Sequence, residues 1–168
     1  MPYTLTDLNQ MDSDAFVTAL GAVFEDTPEI ARQTWNLRPF GSLTDLHQKM
    51  VEVVSEMSSE QKLKLIQAHP DLGSRAKMAE ASVKEQAGVG LDRLTAEEYD
   101  RFHSLNQAYK AKFGFPFIIA VKNHTKTSIL EAFQRRLDHS ITTEMEQAIT
   151  EITQIAYFRL LDLIQHPS

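Results

Sequence analysis

The run His69-Pro70-Asp71-Leu72-Gly73 sets an imidazole against a proline-stiffened turn, an arrangement suited to general acid or base chemistry. His69 follows Leu65 by four residues and Ile66 by three, which puts it at the C-terminal end of an amphipathic helix. There the negative end of the helix dipole favours the protonated ring. Pro70 disfavours helical backbone at the residue before it and so fixes where the helix stops. A hydrogen-bonded structural histidine satisfies the same spacing.

A second group is Ser82-Val83-Lys84-Glu85-Gln86. Ser82 with Glu85 three residues later has the form of a capping box, so a short helix is expected to start here. Its exposed N–H groups and the Ser82 hydroxyl can bind an anionic or carbonyl-rich ligand that Glu85 orients. Capping alone also accounts for Glu85, with Gln86 then exposed. The third group is a single residue. The last helix turns Met145, Ala148, Ile149, Ile152, Ile155, Ala156, Leu160 and Leu163 inward, and Arg159 falls within that stripe. A guanidinium aimed at a core needs a carboxylate or an anionic ligand to offset its desolvation. The alternative is an arginine that runs along the stripe's edge and keeps its head in water.

Other chemistries find no support. The chain has no cysteine, which removes disulfides, thiolate metal sites and cysteine nucleophiles and suits a reducing compartment. No two of the six histidines stand three or four residues apart, so a zinc-binding helix is absent, and His69 with Asp71 makes at most half a metal site. Gly88-Val89-Gly90 lacks the third glycine and the preceding strand of a dinucleotide fingerprint. Neither a metal nor an organic cofactor is expected. A net charge of −6 disfavours nucleic acid, and Arg135-Arg136 reads as a solvated or interface-facing helix surface. No apolar stretch is long enough to span a membrane, and the N-terminus lacks a signal-peptide layout. The end His166-Pro167-Ser168 is not a peroxisomal address, so the expected location is cytoplasmic.

The elements that must position these residues are helical. Asp12-Ser13-Asp14 caps an apolar face carrying Phe16 and Leu20. Thr27-Pro28-Glu29 reads as an N-cap followed by a proline in the first turn, ending at the Pro39-Phe40-Gly41 break. Ser42 caps a helix with Leu46, Met50, Val53 and Val54, and Ser58 to Gln61 caps the helix that ends before His69. A helical stretch through Met78 is expected after the turn, then the short helix at Ser82, failing at Gly88. Thr95-Ala96-Glu97-Glu98 opens a longer helix closed by Gly114. Residues Phe115 to Val121 are extended, since Pro116 argues against a central strand. Two more helices follow, one from Thr127 or the residues just before it and the longest from Thr142 or Thr143 to about Ile164. The expectation is an all-α, single-domain bundle of about eight helices over residues 1–168, with one extended segment near 115–121.

Taken in order, His69-Pro70-Asp71-Leu72, Ser82-Val83-Lys84-Glu85-Gln86, Gly90-Leu91, Phe113-Gly114-Phe115-Pro116-Phe117-Ile118-Ile119 and Ala156-Tyr157-Phe158-Arg159-Leu160 resemble the 2-oxo-4-hydroxy-4-carboxy-5-ureidoimidazoline (OHCU) decarboxylases of uric acid breakdown. The similarity runs from Phe16 through Arg38-Pro39-Phe40 to the last helix. It implies an all-helical homodimer that converts OHCU to (S)-allantoin and carbon dioxide without a cofactor. It further implies that His69 and Glu85 are catalytic and that Pro70, Ser82, Val83, Lys84, Glu85 and Gln86 contact substrate. Phe117, Ile118, Ile119, Ala120 and Val121 would line the pocket with their backbone, whose N–H and C=O groups no helix ladder consumes, and Arg159 would bind a ring carbonyl or the anion. The loop between Gly73 and Ser82 is shorter than in many relatives. The competing expectation is a non-enzymatic helical interaction module in which His69, Glu85 and Arg159 form a buried polar network.

Overall fold

Residues 2–73 and 80–165 are described by a computed structural model, in which local capping signals set most helix starts. The helical stretch expected through Met78 and the end at 166–168 lie outside the described residues. Among those described, the chain forms nine α-helices, a single 3-10 turn and no sheet, so the all-α expectation holds.

The described helices are α1 (Leu5–Gln10), α2 (Ser13–Leu20), α3 (Glu29–Trp35), α4 (Leu43–Ser55), α5 (Ser59–Gln67), α6 (Glu80–Gly88), α7 (Ala96–Phe113), α8 (Lys126–Arg136) and α9 (Ile141–Leu163). Asp12, Ser42 and Thr95 cap α2, α4 and α7 as their positions foretold, and Ser58 and Gln61 exchange reciprocal bonds at the start of α5. Helix α1 was not foreseen, although Thr4 and Asp7 form a full capping box there. Helix α8, expected from Thr127 or the residues just before it, starts at Lys126 with Thr125 as its cap and Ser128 as the reciprocal partner. Ser140 rather than Thr142 or Thr143 caps α9, its hydroxyl accepting from the Thr143 N–H.

Two capping expectations fail. Thr27 does not cap α3: its hydroxyl donates back to the Glu25 carbonyl, and Pro28 stands at the helix boundary with helical backbone angles. Ser82 does not begin α6 either, because the helix already runs from Glu80. A capping residue needs non-helical backbone, and Ser82 lies inside the helix.

The fold divides into two compact units, Met1–Leu65 with Thr153–Ser168, and Ile66–Ile152. In the first, α2 packs on α3 and α3 on α4. Phe16 and Phe40 stack there with ring centroids 5.8 Å apart. The parallel bridge Tyr3–Ile164 ties the start of the chain to the end of α9.

The second unit is built on aromatic residues. Tyr109 on α7 is fully buried against Phe113, Phe115, Phe117 and Phe133, and Phe117 stacks on Phe133 at 3.8 Å between centroids. Gly114 closes α7 in the left-handed conformation, φ +80°, and the chain then bends at residue 115 and runs without helix or strand to Ala120, whose own backbone is extended. Val121, expected at the end of that segment, begins the 3-10 turn Val121–Asn123.

Candidate active site

The turn after α5 is held from two helices of the second unit. His69 is buried, and its N–H donates to the Ile66 carbonyl at 3.2 Å. Asn106 of α7 donates to the Leu72 carbonyl at 2.9 Å. Gln86 of α6 accepts from the Gly73 N–H at 2.9 Å through Oε1. Lys110 pairs with Asp71 at 3.1 Å, which occupies the carboxylate that could have made half a metal site with His69. Gly73 sits at φ +67°, and a Cβ there would lie 2.7 Å from Leu94 Cδ1, so the turn requires glycine twice over. The rigidity read from Pro70 is thus reinforced by side chains from elsewhere in the sequence.

Helix α6 shows two faces at this site. Ser82 and Gln86, four residues apart, are buried; Glu85 is half-buried; Val83 and Lys84 are exposed. The helical period therefore separates the five expected contact residues, directing 82 and 86 inward and 83 and 84 outward. Gln86, far from merely exposed, is consumed in part by the Gly73 N–H.

The extended segment is buried at all of Phe117, Ile118, Ile119, Ala120 and Val121. Its backbone is less available than expected. Arg136 Nη1 donates to the Ile118 carbonyl at 2.7 Å, and Glu151 Oε1 accepts from the Ala120 N–H at 3.0 Å. The Ala120 and Val121 carbonyls accept from Asn123 and His124 in the 3-10 turn. No helix ladder uses this stretch, but side chains use part of it.

Arg136 overturns its own expectation as well. Rather than forming a solvated surface with Arg135, it is buried and donates through Nε to Glu144 at 2.8 Å. Its guanidinium lies 4.3 Å from the centroid of Phe117, and Nη2 is buried with no hydrogen-bond partner. Glu144, with no exposed surface, also accepts from the Tyr109 hydroxyl at 2.5 Å and pairs with His139 Nδ1 at 2.8 Å. Burial, and next the Glu144 carboxylate, push the Tyr109 phenol upward. Tyr109 is therefore a neutral donor. A cavity of about 140 Å³ adjoins this network, lined by Ile119, His124, Arg136, His139, Gln147 and Glu151 among others.

Arg159 belongs to the first unit. It is buried with Glu25, Nη1 to Oε2 at 3.0 Å, and also donates to the Ala22 carbonyl at 3.2 Å. The edge-running alternative is excluded, since a carboxylate of this chain meets the guanidinium.

Sequence reasoning missed Glu25, Asn106, Arg136, Glu144 and Glu151. Two signals were present: Glu144 and Glu151 are seven residues apart on the inward stripe of α9, and Arg136 follows Phe133 by three. Among the described residues no group of three or more acidic or histidine side chains is placed to hold a metal, and no helix is long and apolar enough to cross a membrane.

The family model for OHCU decarboxylase matches residues 9–161. This chain belongs to that family. An OHCU decarboxylase of Halalkalicoccus jeotgali is 45% identical over 160 residues, covering 95% of this chain and 91% of the relative. A uric acid degradation bifunctional protein of Bacillus subtilis is 46% identical over 162 residues, and this chain spans 33% of its length. Among solved structures, an (S)-allantoin synthase superposes with a TM-score of 0.81 at 33% identity, covering 98% of this chain and 54% of that one. A crystal structure of OHCU decarboxylase, at 22% identity and a TM-score of 0.71, shares the fold. The OHCU decarboxylase family match takes in every site residue expected above, from His69 to Arg159.

Proposed function

We propose that the chain decarboxylates OHCU to (S)-allantoin and carbon dioxide, in the breakdown of uric acid and without a cofactor. The observation that carries this reading is the family match across 9–161, within which the His69 turn is pinned to the Gln86 helix.

The chemistry suits a protein that supplies only positioning and protons. When the C–CO2 bond of OHCU breaks, the electron pair passes into the conjugated imine of the ring, so the substrate is its own electron sink. The protein must align that bond with the π-system, stabilise the developing charge and deliver a proton to one face. His69 manages the proton of the substrate hydroxyl or carboxylate, and Glu85 supports it or faces the carboxylate. Ser82 and Gln86 bind ureido and ring polar groups; because Gln86 Oε1 is held by Gly73, its Nε2 is the end offered to a carbonyl. Pro70 and the 117–121 backbone shape the pocket, and Arg159 binds a ring carbonyl or the anion. Val83 and Lys84 complete the substrate-contacting segment from the exposed face of α6.

The same reading includes a homodimer in the cytoplasm, which sedimentation and fractionation would check. For the reaction itself, freshly generated OHCU is supplied and product chirality is followed by circular dichroism. Rapid formation of one allantoin enantiomer is expected. Racemic allantoin at the spontaneous rate overturns the proposal. Thermal stabilisation by allantoin separates it from a non-enzymatic module, which would be indifferent.

A further inference from the structure

We infer that Arg136 and Glu151 are positioning residues, which clamp one edge of the extended segment so that its other edge is held for substrate; this rests on the functional reading above.

In an extended chain the N–H and C=O of one residue point to one edge, and those of the next residue to the other. The Ile118 carbonyl and the Ala120 N–H, two residues apart in phase, therefore share an edge. Arg136 supplies a donor to the first at 2.7 Å and Glu151 an acceptor to the second at 3.0 Å. Two side chains thus stand where a partner strand would, one from α8 and one from α9. By the same alternation the Ile119 main chain is turned to the opposite edge. Among the described residues no hydrogen bond engages its N–H or C=O.

Both clamps are themselves fixed. Arg136 is held by Glu144 through Nε and lies over the Phe117 ring, and Glu144 is held in turn by Tyr109 and His139. Glu151 accepts from Gln147 through Oε2 while Oε1 holds Ala120. Both residues are buried, so neither bond competes with bulk water. A donor and an acceptor at fixed positions remove the sliding freedom of a segment that no ladder pins. The opposite edge then offers a donor–acceptor pair in one geometry, which a ureido or lactam edge can read without paying to order it.

The test compares Glu151→Gln, whose amide oxygen can still accept from Ala120, with Glu151→Met, which fills the space and accepts nothing. For Glu151→Gln, KM for OHCU should stay within about threefold of the parent. For Glu151→Met, KM should rise by at least about tenfold while kcat changes much less, the pattern of lost binding rather than lost chemistry. Amide exchange at Ala120 should accelerate in Glu151→Met and remain slow in Glu151→Gln. Arg136→Lys, compared with Arg136→Met, gives a second pair should Glu151→Met fail to fold. A folded Glu151→Met or Arg136→Met protein with parental KM overturns the positioning role, as does unchanged exchange at Ala120 in Glu151→Met. A parent chain that does not turn over OHCU overturns the functional reading first, and is told apart because no variant is involved.

Discussion

Arg159 of α9 and Glu25 form a buried ion pair, Nη1 to Oε2 at 3.0 Å, with 5% and 2% of their side chains exposed. The anion that a core-facing guanidinium requires is thus supplied by the chain itself. Removing Glu25 takes the carboxylate away from a buried guanidinium, so Glu25→Ala should cost about 3–5 kcal/mol in urea unfolding. The Glu25→Met, Arg159→Met double variant should be less destabilised than the sum of its single changes. Strict additivity would count against the pair.

Gln86 is as much a structural residue as a candidate ligand. Gln86→Leu orphans the buried Gly73 N–H and should destabilise by about 1–3 kcal/mol, with faster amide exchange at Gly73. Unchanged exchange there would show that the turn is held by other means.

His69 is expected to act on a substrate proton from a fixed turn. Its replacement by asparagine should leave the fold intact and lower kcat by about 10²- to 10⁴-fold in the OHCU assay. Near-normal conversion by the folded variant would remove His69 from the mechanism.

Tyr109 should stay protonated while the fold persists. Burial, then the Glu144 bond, raise its pKa above the ordinary phenol value near 10. The folded state therefore holds a proton that the unfolded chain releases above about pH 10. This contribution to stability is complete below that pH and declines as the pH rises further. Tyr109→Phe should consequently leave the native tyrosinate absorbance titration unchanged in amplitude, and its Tm should fall less steeply with pH above 10 than the parent's. A smaller native titration amplitude in the variant would show that Tyr109 ionises in the folded protein.

Much of the fold was legible in single stretches of sequence because its signals are local. Thr95 and Glu98 cap α7 with bonds between residues three apart, and Gly114 ends it by conformational freedom alone. The extended stretch after it follows from Pro116 and the closed helix. Where local reading failed, two local solutions competed. Thr27 had a carbonyl within reach at Glu25 and used it, and Ser82 fits the capping pattern although the chain becomes helical before it.

By itself, then, the sequence determined the helical class, most helix starts and the fixed turn after His69, and it placed Arg159 on or beside the inward stripe without deciding between core and edge. Tertiary structure decided what those residues meet. Arg159 finds Glu25 at a sequence separation of 134, Ala120 finds Glu151 at 31, and Gly73 finds Gln86 at 13. Periodicity reports which side of a helix is buried, but a buried donor or charge is satisfied by whatever group long-range packing brings within about 3 Å, and no spacing along the chain encodes that partner.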